Sequence, residues 1–408
     1  MAKLRFGTSY WLDRYTGKPS RYPALTGSRE ADVAIIGGGF TGCLSAFVFA
    51  QAGFRVLLLE SQRIGRGSTA ASTALLMQEP DLDFRELANR YDTTRARRVW
   101  RQGANSVRRL VTLLHRLRID ASIEDVPSVY WTRDPSTVTE LKHELRRRHA
   151  AGLSGRWLSR DALARQIGIE GAGAILTHGN AQIDPYRACL GLAHHARGLG
   201  ARLYERSAAK RVVSDRRGVH IVTAEGEIRA RWAVIATGYA TPEFKPLASR
   251  FRMSTTYVIT TAPIARATRR RMGLGHVMLW DTETPYHYAR WTPDRRIIFG
   301  GRDQPRTTER SRAAALVRQT DKLKEDLAGL FPELASVPTE YAWDGLFATT
   351  PDGLPYVGPH RRYPNQLFAL GYGGNGMTFT HLATQILLRV VTNNTADDDR
   401  FLGFGRFS

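Results

Sequence analysis

The chain has 408 residues, 42% hydrophobic and 24% charged, which predicts a globular protein of two or three domains and excludes collagen-like and mainly disordered chains. Its two distant cysteines, Cys43 and Cys189, are typical of a reducing compartment and exclude a cysteine-based metal site or disulfide scaffold. No apolar run is long enough to cross a bilayer, and residues 1–23 lack the apolar core of a secretory signal. We therefore expect a cytoplasmic protein.

The first predicted unit, residues 32–60, is a strand, a helix and a second strand around a glycine-rich turn. The turn matches G-x-G-x-x-G: Gly37 permits the tight bend, Gly39 lets a pyrophosphate approach, and Gly42 lets the helix pack closely on the strand. Free N–H groups at the helix start favour an anion. Glu60, at the end of the second strand, is placed to accept hydrogen bonds from a ribose hydroxyl. This context predicts a dinucleotide site.

A long amphipathic helix is predicted within residues 83–119. Trp100, Val107 and Leu114 share one apolar stripe, and many arginines between residues 95 and 118 cover the remaining surface. They contribute to the net charge of +21, which is carried mostly by arginines along the whole chain. We favour a solvated basic face over one that binds RNA or lipid, because no aromatic-basic RNA module is visible.

Further helices and strands follow, and the α/β pattern of the first segment recurs in the middle and at the end of the chain. Predicted helices cover residues 136–150, 159–167, 184–198, 307–330 and 376–391, whereas residues 254–301 are rich in strands. We predict an α/β fold with an α+β substrate domain. A Rossmann-like domain built from discontinuous segments (31–120, 181–245 and 341–408) would hold an inserted β-rich antiparallel domain (121–180 and 246–340), after an N-terminal extension of residues 1–30.

Two more segments carry glycines beside apolar structure. The strand 232–238 ends in Ala-Thr-Gly, and after the dinucleotide turn this ending favours FAD over NAD, although on its own it is a common buried strand. Glycines in the segment 371–378 precede the last helix and expose N–H donors that can face the pyrimidine end of a flavin. The other interpretation of this segment is a tight strand-to-helix turn.

These motifs give the chain its resemblance to the D-amino-acid-oxidase-like family of FAD oxidoreductases, which includes sarcosine, glycine and gamma-glutamylputrescine oxidases. The resemblance runs from Ser9 to about residue 391. It is carried by the glycine-rich turn with Glu60, and by the segments 65–73, 343–345, 350–358 and 374–381.

Carried over by position, the resemblance implies which residues hold FAD. Phe347 stands where sarcosine oxidase has its flavin-linked cysteine, so FAD is expected to be non-covalent, and no metal is expected. The implied cofactor residues are Gly37, Gly39, Phe40, Thr41 and Gly42 at the pyrophosphate, Glu60 at the ribose, Ala209 at the adenine, Gly67, Ser68, Ser72 and Thr73 along the flavin, Thr237 and Gly238 beside it, and Gly374, Asn375, Gly376, Met377 and Thr378 at its pyrimidine end.

The chain departs from this family at the groups that bind a substrate carboxylate. Met77 and Thr378 align with the arginine and lysine of sarcosine oxidase, while Phe347 and Gly374 align with the two arginines of glycine oxidase. None of the four residues can pair with a carboxylate. A larger amine or N-substituted amino acid is therefore expected in place of a simple α-amino acid.

An aromatic strand segment is the predicted substrate wall. Alternation points Tyr286, Tyr288 and Arg290 to one face, and with Tyr257 they form a surface suited to an amine, in which Arg290 could bind a remote carboxylate. An ordinary half-buried strand with a surface arginine is an equal alternative. His381 is a candidate acid or base, although a packed or capping histidine is the favoured interpretation.

The predicted reaction is amine oxidation: hydride passes to flavin N5, the imine is hydrolysed, and O2 or another acceptor takes the electrons. The expected partner is this small-molecule amine, and nucleic acid is not expected. Two alternatives stay open. One is a tRNA-modifying flavoenzyme, which the charge of +21 would suit, and the other is a flavin-bound interaction protein without turnover.

Overall fold

The computed structural model describes residues 4–407; residues 1–3 and 408, the outer ends of the two predicted terminal segments, lie outside the described residues. The strands are β1 (Arg5–Phe6), β2 (Gly27–Ile36), β3 (Val56–Leu59), β4 (Leu75–Leu76), β5 (Glu124–Asp125), β6 (Ser128–Thr132), β7 (Arg156–Ser159), β8 (Gly173–Thr177), β9 (Ala181–Gln182), β10 (Arg202–Tyr204), β11 (Arg211–Ser214), β12 (Val219–Val222), β13 (Gly226–Gly238), β14 (Arg252–Thr261), β15 (Met278–Asp281), β16 (Tyr288–Trp291), β17 (Ile297–Pro305), β18 (Thr339–Thr349), β19 (Tyr356–His360) and β20 (Tyr363–Leu370).

The helices agree closely with the apolar periodicity of the sequence. They are α1 (Tyr10–Arg14), α2 (Phe40–Gln51), α3 (Ser68–Ala71), α4 (Phe84–Arg90), α5 (Thr93–Arg116), α6 (Val138–Ala150), α7 (Arg160–Ile167), α8 (Pro185–Gly198), α9 (Arg266–Met272), α10 (Glu309–Leu330) and α11 (Gly376–Val391). The helical structure predicted within residues 83–119 is confirmed as two helices, α4 and the amphipathic α5, which are separated where Asp92 leaves helical geometry and caps α5 through its carboxylate.

An eight-stranded sheet forms the first half of the fold. Its parallel core has the order β10, β3, β2, β13 and β20; β19 pairs antiparallel with β20, and the hairpin of β11 and β12 extends from the start of β13. Val33 and Ile35 on β2 face the buried helices α2, α5, α8 and α11, whereas the opposite face is covered by a second apolar cluster that includes Phe244 and Phe368. Both faces are buried, as expected for a Rossmann-like parallel sheet.

A nine-stranded, mostly antiparallel sheet forms the second half, in the order β1, β18, β14, β17, β16, β15, β6, β8 and β7. Helix α10 packs on one face over an apolar core. The whole of β18 belongs to this sheet, so the predicted domain boundary at residue 341 falls inside a strand. The predicted extension of residues 1–30 likewise runs into β2, which begins at Gly27.

Candidate active site

A cavity of 570 Å³ lies between the two sheets, within the size range of small-molecule and cofactor sites. On one side it is lined by residues at the carboxyl ends of β2, β3 and β13, where open parallel sheets bind their ligands. On the other side it is lined by β14, β16, β17 and β18 of the nine-stranded sheet. The cavity therefore joins the dinucleotide turn to the aromatic strand segment.

The dinucleotide turn has the geometry that its glycines predict. Gly37 has a φ of 111°, which residues with a side chain rarely adopt. A Cβ on Gly42 would lie 1.8 Å from the Gly37 carbonyl oxygen, so only glycine allows α2 to pack this close to the turn. Gly39 at the start of α2 has no side chain to cap the helix, and the hydroxyl of Thr69 accepts the N–H of Phe40 at 2.9 Å. The remaining N–H groups of the first turn and the positive end of the helix dipole are presented to the cavity.

Glu60 is held at the end of β3 by the backbone. One carboxylate oxygen accepts the N–H of Gly38 and the other accepts the N–H of Gln62, both at 2.8 Å. The side chain lines the cavity next to the turn. A carboxylate fixed in this way is placed to accept hydrogen bonds from ribose hydroxyls.

Of the predicted cofactor residues, all except Gly42 and Thr378 line the cavity. Gly42 packs against the turn from behind, and the buried Thr378 hydroxyl donates to the Met77 carbonyl instead of facing the cavity. Binding by the remaining residues stays a prediction. Those that line the cavity are Gly37, Gly39, Phe40, Thr41, Glu60, Gly67, Ser68, Ser72, Thr73, Ala209, Thr237, Gly238, Gly374, Asn375, Gly376 and Met377.

Aromatic side chains close the end of the cavity that faces the nine-stranded sheet. Tyr286 and Tyr288 both line it, Tyr288 from the first residue of β16 and Tyr286 from the segment before that strand. The Tyr288 ring lies over Gly300, where a Cβ would be 2.4 Å from the ring, and its hydroxyl is 2.8 Å from that of Thr256. Burial raises the pKa of both tyrosines, so both stay neutral hydroxyls at physiological pH.

Arg290 has a structural position instead of the predicted substrate contact. Its buried guanidinium donates to the backbone carbonyls of Thr73, Ala74 and Ile183 at 3.0, 3.1 and 2.9 Å. It does not line the cavity, and its donors are directed at the loop that follows α3. The expectation that Arg290 binds a remote carboxylate is therefore corrected: Arg290 holds a cavity-lining loop in place.

Two other candidate catalytic residues also lie away from the cavity. Tyr257 is on the face of β14 that packs in the apolar core under α10, while its neighbour Thr256 faces the cavity. His381 is buried in α11; burial, aided by the charge of Arg109, lowers its pKa to about 4, so it is neutral at pH 7. Of the four predicted catalytic residues, only Tyr288 lines the cavity.

Sequence reasoning missed the acidic character of the cavity. Its charged lining side chains, within residues 4–407, are Glu60, Glu243 and Asp303, and neither arginine nor lysine is among them. Behind the lining, Asp81 accepts hydrogen bonds from the N–H of Gly374 at 2.7 Å and from the side-chain amide of Asn375 at 2.8 Å. Asp303 lies at the end of the cavity that Tyr286 and Tyr288 close, so that end favours a cationic over an anionic ligand.

The cavity fits a non-covalent dinucleotide. The remaining N–H groups at the start of α2 and the fixed Glu60 supply donors and an acceptor for a pyrophosphate and a ribose. No described cysteine lines the cavity, so its walls offer no thiol for a flavin bond. Cys43 and Cys189 are buried and unbridged, with their sulfur atoms 3.6 Å apart.

Residues 4–407 contain neither a membrane-spanning helix nor a metal-binding group of side chains. Among them, no helix combines the length and hydropathy needed to cross a membrane. Neither do they contain a group of three or more His, Cys, Asp or Glu side chains arranged to hold a metal ion.

The fold and the cavity define a dinucleotide-dependent oxidoreductase, and comparison with known proteins specifies the class. The family model described as FAD dependent oxidoreductase, DAO, matches residues 32–389. The chain belongs to this DAO family of FAD-dependent oxidoreductases.

Similar proteins include several oxidoreductases. Gamma-glutamylputrescine oxidoreductase of Escherichia coli K12 is 28% identical over 408 residues, covering 97% of this chain and 91% of that protein. Glycine oxidase of Bacillus licheniformis is 23% identical over 90% of this chain and 94% of that protein. The crystal structure of glycine oxidase from Geobacillus kaustophilus superposes with a TM-score of 0.77 at 20% identity, covering 92% and 99% of the two chains. This last likeness supports the fold.

Proposed function

We propose that this FAD-dependent amine or amino-acid oxidoreductase acts on an amine or N-substituted amino acid that it binds without a carboxylate clamp. The observation that carries the proposal is the absence of arginine and lysine from the described lining of a cavity that joins the dinucleotide turn to two tyrosines. A carboxylate beside the reacting carbon would find no charged partner there. The names of the relatives, gamma-glutamylputrescine oxidoreductase and glycine oxidase, support nitrogen-containing substrates.

Each group of residues has a task in this reaction. When bound, non-covalent FAD supplies an acceptor, at flavin N5, for the hydride of the carbon next to nitrogen. Tyr286 and Tyr288 enclose the substrate and exclude water. Arg290 holds the loop at Thr73 in position. Water then hydrolyses the imine product, and O2 is the expected electron acceptor. The acceptor and a cytoplasmic location stay predictions.

The test is anaerobic. Purified protein with bound FAD is mixed with a panel of amines, N-alkyl amino acids and gamma-glutamylputrescine, while the visible flavin band is recorded. We expect rapid bleaching by at least one amine, and none by simple α-amino acids. Free FAD with the same compounds is the control. A band that no compound bleaches would contradict the proposal and favour an RNA-modifying or non-catalytic flavoprotein.

A further inference from the structure

Strand β17 contains a bulge where it passes the cavity. Its ladder with β14 shifts register between Thr255 and Tyr257, so that Thr256 alone faces two residues, Arg302 and Asp303. Arg302 has a φ of 57°, a left-handed conformation that is unfavourable for a residue with a side chain. Bulges are frequent beside active sites, where they redirect side chains.

The two side chains of the bulge leave the strand in different directions. Arg302 pairs with Asp326 on α10, its Nε donating at 2.7 Å. Asp303 instead lines the cavity beside Tyr286 and Tyr288. The local strain at Arg302 therefore accompanies the placement of a carboxylate at the aromatic end of the cavity.

Asp303 has an unused acceptor in that position. Its Oδ1 atom is buried and accepts no hydrogen bond from the described part of the chain. A buried oxygen without a donor is unfavourable, so a ligand that supplies an N–H is stabilised there. Burial also raises the pKa of the Asp303 carboxyl, against the effects of Thr256 and His287, which makes it a better proton acceptor.

The surroundings select a cation. No described arginine or lysine lines the cavity to neutralise Asp303, and Tyr286 and Tyr288 present aromatic rings beside it. A carboxylate with aromatic walls is a common environment for an alkylammonium group, because both attract positive charge.

We propose that Asp303 docks the ammonium group of a cationic amine substrate and accepts its proton, an inference that rests on the proposed amine oxidation. The ammonium donates an N–H to Oδ1; the N–H bond then breaks, an O–H bond forms on Asp303, and the electron pair stays on nitrogen. The product of this transfer is the neutral amine, the form from which a hydride leaves. Asp303 is thus both the specificity-determining group and the general base.

The test compares the pH dependence of anaerobic flavin reduction in wild type and in Asp303→Asn, using the amine that bleaches the wild-type band fastest at low concentration. Wild type uses the ammonium form, so its rate changes little between neutral pH and the substrate pKa, which is about 10 for an alkylamine. In Asp303→Asn only the unprotonated fraction of the amine reacts, so its rate falls about tenfold for each pH unit below that pKa. Asp303→Glu restores part of the flat profile. Matching profiles in wild type and Asp303→Asn would overturn the inference.

A binding measurement gives a second readout. tert-Butylamine has no hydrogen on the carbon next to nitrogen and cannot be oxidised, so its binding to the FAD-loaded protein is followed by the change in flavin absorbance. We expect Asp303→Asn to weaken tert-butylamine at least tenfold at neutral pH and to leave neutral tert-butanol unchanged. Equal binding of tert-butylamine to both proteins would also overturn the inference.

One control variant and the wild-type result separate the possible failures. Asp321→Asn removes one negative charge from the surface of α10, where Asp321 pairs with Lys324, and is expected to match wild type in both measurements. If no amine reduces the wild-type flavin, the proposed function itself fails. If wild type is reduced and Asp303→Asn follows the same pH profile, only the role of Asp303 fails.

Discussion

Asp81 accepts the backbone N–H of Gly374 at 2.7 Å, and this contact ties the segment before α4 to the turn that precedes α11. Because the turn lines the cavity, the position of the cavity wall depends on a carboxyl group that lies behind it. Burial raises the pKa of Asp81 to about 7 from its ordinary value of 3.8, although the hydrogen bonds from Gly374 and Asn375 oppose the shift.

This shift predicts a pH dependence of stability. A carboxyl whose pKa is raised by folding binds more protons in the folded than in the unfolded protein between pH 3.8 and about 7. The contribution of Asp81 to the free energy of unfolding is therefore largest below this window and is lost as pH rises through it. In thermal unfolding, the stability of Asp81→Asn relative to wild type should increase as pH rises from about 4 to about 7. A constant difference between the two proteins would contradict the prediction.

Gly42→Ala should impair both stability and FAD binding. Its Cβ would lie 1.8 Å from the Gly37 carbonyl oxygen, so the dinucleotide turn must move. We expect about 1–3 kcal/mol of destabilisation and at least a tenfold weaker FAD affinity, measured by thermal unfolding and by titration of the apoprotein. Gly198→Ala, at the end of α8 with nothing within 4 Å of its Cβ, is the control and should be neutral or stabilising.

Glu60→Gln should weaken FAD binding while leaving the fold intact. Glutamine keeps the size of the side chain but offers only one acceptor oxygen to the N–H groups of Gly38 and Gln62. The loss of charge-assisted hydrogen bonds is worth about 1.5–3 kcal/mol, so the FAD dissociation constant should rise about tenfold or more. Glu30→Gln, exposed on β2 of the same sheet, should bind FAD like wild type. Equal affinity of Glu60→Gln and Glu30→Gln would refute this role for Glu60.

Arg290→Met should destabilise the protein without changing which amines it accepts. The substitution leaves the carbonyls of Thr73, Ala74 and Ile183 without their donor in a buried place. A buried group left without a hydrogen bond is unfavourable by about 1–3 kcal/mol. Thr73 and Ala74 belong to a loop that lines the cavity. Thermal unfolding tests the loss of stability. The relative rates with amines that do and do not carry a remote carboxylate test whether the choice of substrate is unchanged. A selective loss of the carboxylated amines would restore Arg290 as a substrate-binding residue; Arg252→Met, exposed on β14, is the control.

The sequence is most informative where the backbone geometry of the site allows only certain residue types, such as glycine in the dinucleotide turn. The turn around Gly37 and the strand ending at Glu60 lie together in the structure because local spacing alone brings them to one sheet edge. Alternation also predicted Tyr286, Tyr288 and Arg290 on one face, and of these three only the tyrosines line the cavity. It could not say which face of β14 points to the cavity, since both of its faces carry apolar residues, and Tyr257 is on the wrong one.

The acidic side of the site was harder to predict for a physical reason. Asp303 reaches the cavity through a bulge that breaks the two-residue period of β17, and a break of this kind changes which side chains face inward. The adjacent glycines Gly300 and Gly301 are the available signal, because glycine within a strand often marks a bulge or a close contact. Asp81 offers no such signal, since its partner Gly374 is almost three hundred residues away along the chain.

The distribution of the cavity lining along the chain also has a consequence for biosynthesis. The walls come from segments as far apart as residues 36–41 and 372–377. The dinucleotide turn is translated before the glycine-rich turn at the start of α11 that completes its cavity. The nascent chain therefore has no finished cofactor site until α11 has been translated and docked, and we expect capture of FAD to follow that step.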